Sequence, residues 1–157
     1  MLRKVIFIVF CLFFYCGNVW GADCEQDITA DVSGTAYNCN SNDTFKVSEG
    51  VTVSTNTNNY PIKANNDDNI TIDNYGTIRN NGTIDGKGNR PINLQDSSNI
   101  NIYNRSTGTI SARKSGTIYL KNTDGDINIY NEGTISATHH GAIHNYANRV
   151  SGDIYIE

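Results

Sequence analysis

The sequence predicts an all-β chain wound as a right-handed parallel β-helix, with about four coils of roughly 27–30 residues and three short strands in each. Three observations predict it. Isoleucine pairs with one residue between them recur at Ile70/Ile72, Ile100/Ile102, Ile127/Ile129 and Ile154/Ile156, and their first members are 30, 27 and 27 residues apart. A fixed period in this range marks one structural unit stacked on copies of itself. After each complete pair comes a Gly-Thr-Ile step, at Gly82 to Ile84, Gly108 to Ile110 and Gly133 to Ile135, and eight residues later a further apolar position, Ile92, Ile118 and Ile143. Finally, the spacing within the pairs is the two-residue alternation of a strand with one buried face, helical spacing is absent, and the chain holds only 2 prolines.

The elements follow in order. The isoleucine pair is the first strand, and the position two residues after it forms the column Asn74, Asn104 and Asn131. At a corner, backbone groups lose their ladder partners, and an Asn side chain can both donate and accept to satisfy them, so this column is expected to be a structural asparagine ladder. Beside it Tyr103 and Tyr130 are expected to stack outward, with Asp73 at that place in the first unit. A second polar column, Asn69, Asn99, Asp126 and Asp153, precedes the first strand. The units differ in length by an extra Gly-Thr-Ile at Gly76 to Ile78 and by Ser106 and Thr107, both expected between first and second strands. A less regular coil is readable upstream, from about Asn40 to Asp68, as Phe45/Val47, Val51/Val53 and Ile62/Ala64.

The N-terminus begins Met-Leu-Arg-Lys, continues through an apolar run from Val5 to Cys16 and reaches small residues around Gly21. This is the pattern of a secretory signal peptide over residues 1–21, cleaved after Gly21; the apolar run falls short of the ~20 residues that span a bilayer. Export leaves Cys24 and Cys39 as the only cysteines, an even pair expected to form a disulfide in an N-terminal cap over residues 22–44, ahead of β-helix repeats over 45–157. Removing Arg3 and Lys4 from the 12 basic residues leaves 10 against 16 acidic ones, a net charge of −6. Such a balance, with no clustered basic face, disfavours nucleic acid as a partner. Because Ile154 and Ile156 open a coil that Glu157 cuts short, the chain is expected to be the N-terminal part of a longer protein, or else to associate end to end.

A signal peptide, a short cysteine-containing segment and Asn/Gly/Thr-rich coils with N-x-G-T-I steps, here Asn74 to Ile78 and Asn131 to Ile135, together resemble the passenger domain of bacterial autotransporters. The resemblance covers about Asp23 to Glu157. It implies a secreted protein displayed at the bacterial outer membrane through a C-terminal barrel that this sequence does not contain, acting as an adhesin or surface scaffold.

Candidate chemistry is weighed on that frame. Asp126 with Asp153, near Asp124, could form a carboxylate pair of a polysaccharide lyase or glycoside hydrolase, but Asn69 and Asn99 hold the equivalent places, as a structural corner would. Of the histidines His139, His140 and His144, the step from His140 to His144 is that of a helical metal pair, but in a strand and corner it does not converge, and exposed loop histidines are expected. Asp85 to Asn89 is only faintly like a calcium loop, since Lys87 occupies a ligand place. The expectation is therefore a non-catalytic protein with no metal and no cofactor, meeting a glycan or protein on a host or neighbouring cell through outward rings at Tyr103, Tyr119, Tyr130 and Tyr155.

Overall fold

The computed structural model describes residues 22–56, 59–83, 89–146 and the backbone of 154–156. They form a parallel β-solenoid of three sheets without a helix. A first turn has short strands, β1 (Ala22–Asp23), β2 (Gln26–Ile28) and β3 (Val32–Ser33). Four fuller coils follow: β4 (Tyr37–Cys39), β5 (Thr44–Val47) and β6 (Thr52–Thr55); β7 (Ile62–Asn65), β8 (Thr71–Asn74) and β9 (Thr77–Asn80); β10 (Ile92–Gln95), β11 (Ser98–Asn104) and β12 (Thr109–Ala112); β13 (Ile118–Lys121), β14 (Asp124–Asn131) and β15 (Thr134–Ala137). Then come β16 (Ile143–Tyr146) and β17 (Ile154–Ile156). Sheet I is β1-β4-β7-β10-β13-β16, sheet II is β2-β5-β8-β11-β14-β17 and sheet III is β3-β6-β9-β12-β15.

Register makes the repeat physical. Ile100 lies beside Ile127, and Ile127 beside Ile154. Phe45, Ile72, Ile102 and Ile129 form one inward column of sheet II, all fully buried. Ile62, Ile92 and Ile118 do the same in sheet I, while Val53, Ile78 and Ile110 do so in sheet III. Burying each such side chain contributes about 1.5–3 kcal/mol. The coils differ in corner length while the columns stay straight.

Four details depart from the sequence expectations. The Gly-Thr-Ile in register with Gly108 to Ile110 is Gly76 to Ile78, since Thr77 pairs with Thr109 and Ile78 with Ile110. The extra residues of that unit therefore lie between β9 and β10. The reason is close approach: a Cβ on Gly76 would collide with the carbonyl oxygen of Val51, and one on Gly133 with that of Gly108, so glycine is required where these corners stack. Second, the upstream coil is shifted by one strand step, because Phe45 pairs with Ile72 and Val47 with Asn74. Third, residues 22–44 are not set apart from the coils: β1 to β4 are wound in parallel with the strands that follow. The Cys24–Cys39 disulfide staples this first turn to the next, with a Cα–Cα distance of 4.5 Å.

Fourth, the polar column before the first strand of each unit changes at its end. Asn42, Asn69 and Asn99 take left-handed backbone angles, φ 72°, 58° and 52°, and Gly125 takes φ 66° where Asp126 was expected. A bulge between Ser98 and Ile100 against Asp124 and Ile127 accommodates the extra residue. A further left-handed column, Asn66, Asp96 and Asn122, follows the strands of sheet I at φ 63°, 50° and 50°. Asn122 Nδ2 donates to Asp96 Oδ1 at 2.9 Å. Asn and Asp tolerate this conformation because their short side chains bond locally.

Candidate functional site

The asparagine column is internal and structural. Asn74 Nδ2 donates to Asn104 Oδ1 at 2.8 Å, and Asn104 Nδ2 donates to Asn131 Oδ1 at 2.7 Å. Each Nδ2 also reaches the carbonyl of its own corner glycine, Gly76, Gly108 and Gly133. With Asn74 at 0% and Asn104 at 1% exposure, these side chains have no surface to offer a ligand.

The four tyrosines do not share one face. Tyr103 and Tyr130 stack outside sheet II, with centroids 5.0 Å apart and planes 6° from parallel. The Arg105 guanidinium lies 4.6 Å from the Tyr103 centroid and bonds Asp73, Nε to Oδ1 at 2.7 Å, so its charge is already matched. That bond holds the Arg105 pKa above its ordinary value. Tyr155 belongs to sheet II but pairs in register with Asn128, two residues before Tyr130, and so lies outside the Tyr103/Tyr130 column; its side chain lies outside the described residues. Tyr119 is on sheet I, and it is only 7% exposed.

Tyr119 leads to a feature that the sequence reasoning missed. The outward positions of sheet I form two rows. Asn38, Lys63, Asn93, Tyr119 and His144 are in register in one; Asn65, Gln95, Lys121 and Tyr146 are in register in the other. Along these rows runs a groove in two stretches, of 350 and 400 Å³, that share Tyr60, Asn93 and Gln95. Arg90, at the corner before β10, lays its guanidinium carbon 3.4 Å from the Tyr119 centroid. His144 meets Tyr119 edge-on at 5.6 Å, and Tyr146 lies 6.3 Å from Tyr119 with its plane tilted by 25°. His144 is thus a half-buried strand residue rather than an exposed loop one, whereas His139 and His140 are exposed.

Charge in the groove is uneven. Among the described residues, the stretch around Tyr119 is lined by Arg90 and Lys121 and by no carboxylate. Arg90 Nε is buried with no hydrogen-bond partner among the described residues. Asp67 lines the other stretch beside Lys63, and Asp96 follows Gln95, the register partner of Lys121. The Asp96 carboxyl is held below its ordinary pKa, first by the hydrogen bond from Asn122, then by that from Gln95, with Lys121 adding its charge.

Other candidates are not gathered into a site. Asp124 and Asp126 are exposed, while Asp153 and residues 85–88 of the calcium-like segment lie outside the described residues. So do residues 1–21, where the signal peptide is expected. Among the described residues no three His, Cys, Asp or Glu side chains converge as a metal site would require. No protein-family model matches the chain, and no curated protein or solved structure does so either.

Proposed function

We propose that the protein is a secreted β-solenoid of the bacterial surface, the N-terminal part of an autotransporter-like passenger, which works by binding or scaffolding and not by turnover. The observation that carries this reading is the repetition of outward side chains in straight rows along a parallel stack, as in Tyr103 over Tyr130 and in the two rows of sheet I. A rod of this kind holds an extended partner at many weak points, and linked weak contacts multiply into useful avidity. Export is supported by the Cys24–Cys39 disulfide, a bond that persists in oxidising compartments, and by the apolar run from Val5 to Cys16.

Catalysis has no comparable support, because Asp124 and Asp126 are exposed and, among the described residues, no carboxylate lines the groove stretch around Tyr119. General acid–base chemistry needs groups positioned within reach of one scissile bond. The test is to incubate exported, disulfide-bonded protein with a panel of surface glycans and with whole cells, following retention and the release of reducing ends together. Retention without release is expected. Release of shorter glycans that disappears in Asp126→Asn would overturn the non-catalytic reading in favour of a lyase or hydrolase.

A further inference from the structure

The groove along sheet I shows a chemistry that the general reading leaves open. We infer that it binds a linear anionic glycan, laid along the solenoid axis with its acid groups on Arg90, Lys121 and Lys63 and a sugar face on Tyr146; this rests on the reading of the protein as a binding solenoid.

Shape supports an extended occupant. The groove crosses the strands from β4 to β16, four steps of about 4.8 Å, so it is roughly 19 Å long and presents one set of outward side chains per step. A pyranose chain repeats on a similar scale. A compact ligand would use one step only.

Charge supports an anionic one. The protein as a whole is acidic, yet among the described residues Lys63, Arg90 and Lys121 line this groove against one carboxylate, that of Asp67. Arg90 has no ion-pair partner among the described residues, in contrast to Arg105, which is bound to Asp73 at 2.7 Å. Its guanidinium carbon instead lies 3.4 Å over the Tyr119 ring, a contact that restrains the planar fork without neutralising it. A fork fixed in this way loses little freedom when it meets a carboxylate or sulfate.

The rings support a sugar over a peptide or free ion. Tyr146, at 57% exposure, is the one large hydrophobic side chain left open among the described residues, and it stands at the groove beside Tyr119 and His144. An exposed aromatic face next to amides, here Gln95 and Asn93, suits the C–H face and hydroxyls of a pyranose.

The experiment uses the exported protein and four immobilised polymers: hyaluronan as the carboxylated glycan, dextran sulfate as the sulfated one, neutral dextran, and poly-glutamate as an acidic chain without sugar. Retention on hyaluronan, dextran sulfate or both, weakening as salt rises, is expected, and the two arms tell carboxylate from sulfate. Lys121→Gln and Arg90→Gln should each weaken retention about tenfold, and Tyr146→Ala about fivefold. Arg79→Gln removes the same charge from sheet III and should change nothing, and melting temperature checks that each variant is folded. Equal retention on dextran, equal retention on poly-glutamate, or a Lys121→Gln effect no larger than that of Arg79→Gln overturns the inference. These outcomes are separable from failure of the broader reading: cleavage of a bound polymer sinks the non-catalytic function, whereas binding that ignores Lys121 sinks only this site.

Discussion

One inward column of sheet II changes chemistry along its length, and the contrast shows what the asparagines are for. From the first turn upward it runs Ile28, Val47, Asn74, Asn104 and Asn131. After Val47 the corner has room for a β-turn, in which Val51 N–H bonds Ser48 C=O at 3.2 Å and Gly50 takes φ 76°. That turn closes its own backbone bond. After Asn74 only Tyr75 separates the strand from Gly76, and after Asn131 only Glu132 separates it from Gly133. A one-residue corner cannot close such a turn, so the Asn side chain supplies the donor that the glycine carbonyl needs. The corner after Asn104 is as long as that after Val47 and closes the same turn, with Gly108 N–H donating to Arg105 C=O at 2.7 Å, so length alone does not choose the residue: asparagine stands where Gly76, Gly108 or Gly133 offers its carbonyl, and valine where Val51 holds that place.

The contrast is broken most severely at the middle of the ladder. Asn104 donates to Gly108 O, Asn131 Oδ1 and Thr134 O and accepts from Asn74. Asn104→Ala leaves several buried groups unsatisfied at about 1–3 kcal/mol each, so a loss of about 4 kcal/mol is expected from urea unfolding. Val47→Ala, in the same column, removes packing alone and should cost about 2 kcal/mol. A smaller loss for Asn104→Ala than for Val47→Ala would mean that the ladder is only a filler of space.

The next largest effect concerns the first turn, whose strands have two or three residues. Few ladder bonds hold so short a turn, and the disulfide compensates by closing a 15-residue separation, worth about 3 kcal/mol in the chain-entropy model. Cys24→Ser with Cys39→Ser should lower stability by about that amount. Hydrogen exchange should quicken first in β1 to β4, with β11 and β14 protected as before. Uniform loss of protection would show that the first turn and the later coils unfold as one unit.

Most of this architecture was legible because isoleucine spacing reports a buried column directly, whatever the corner lengths. The misplacements have local physical causes. Gly76 and Gly82 are the same word in sequence, and only the close approach of stacked backbones decides which one turns the corner. Phe45/Val47 looks like an isoleucine pair, although Val47 stands in the asparagine column because Asp43 precedes it at the place of Ile70. The groove was harder to see. Its rows are Asn38, Lys63, Asn93, Tyr119, His144 and Asn65, Gln95, Lys121, Tyr146, in which no two strand neighbours are of the same residue type. The available signal was positional: large polar or aromatic side chains at each outward place of the third strand.

The boundary between the two chemistries makes the finest prediction. Asn74 sits above Val47, so no side chain below it can donate, and Asn74 Oδ1 is buried without a partner. Val47→Thr puts a hydroxyl of nearly valine shape under that oxygen. The same replacement at Val53, fully buried on sheet III among Val32 and Ile78, buries a hydroxyl beside apolar neighbours. Thermal and urea unfolding should therefore find Val53→Thr more costly than Val47→Thr by about 1–2 kcal/mol, with Val47→Thr close to the parent protein. Equal costs at the two sites would mean that Asn74 Oδ1 is satisfied by water, and that the change from valine to asparagine in this column carries no energetic penalty at the boundary.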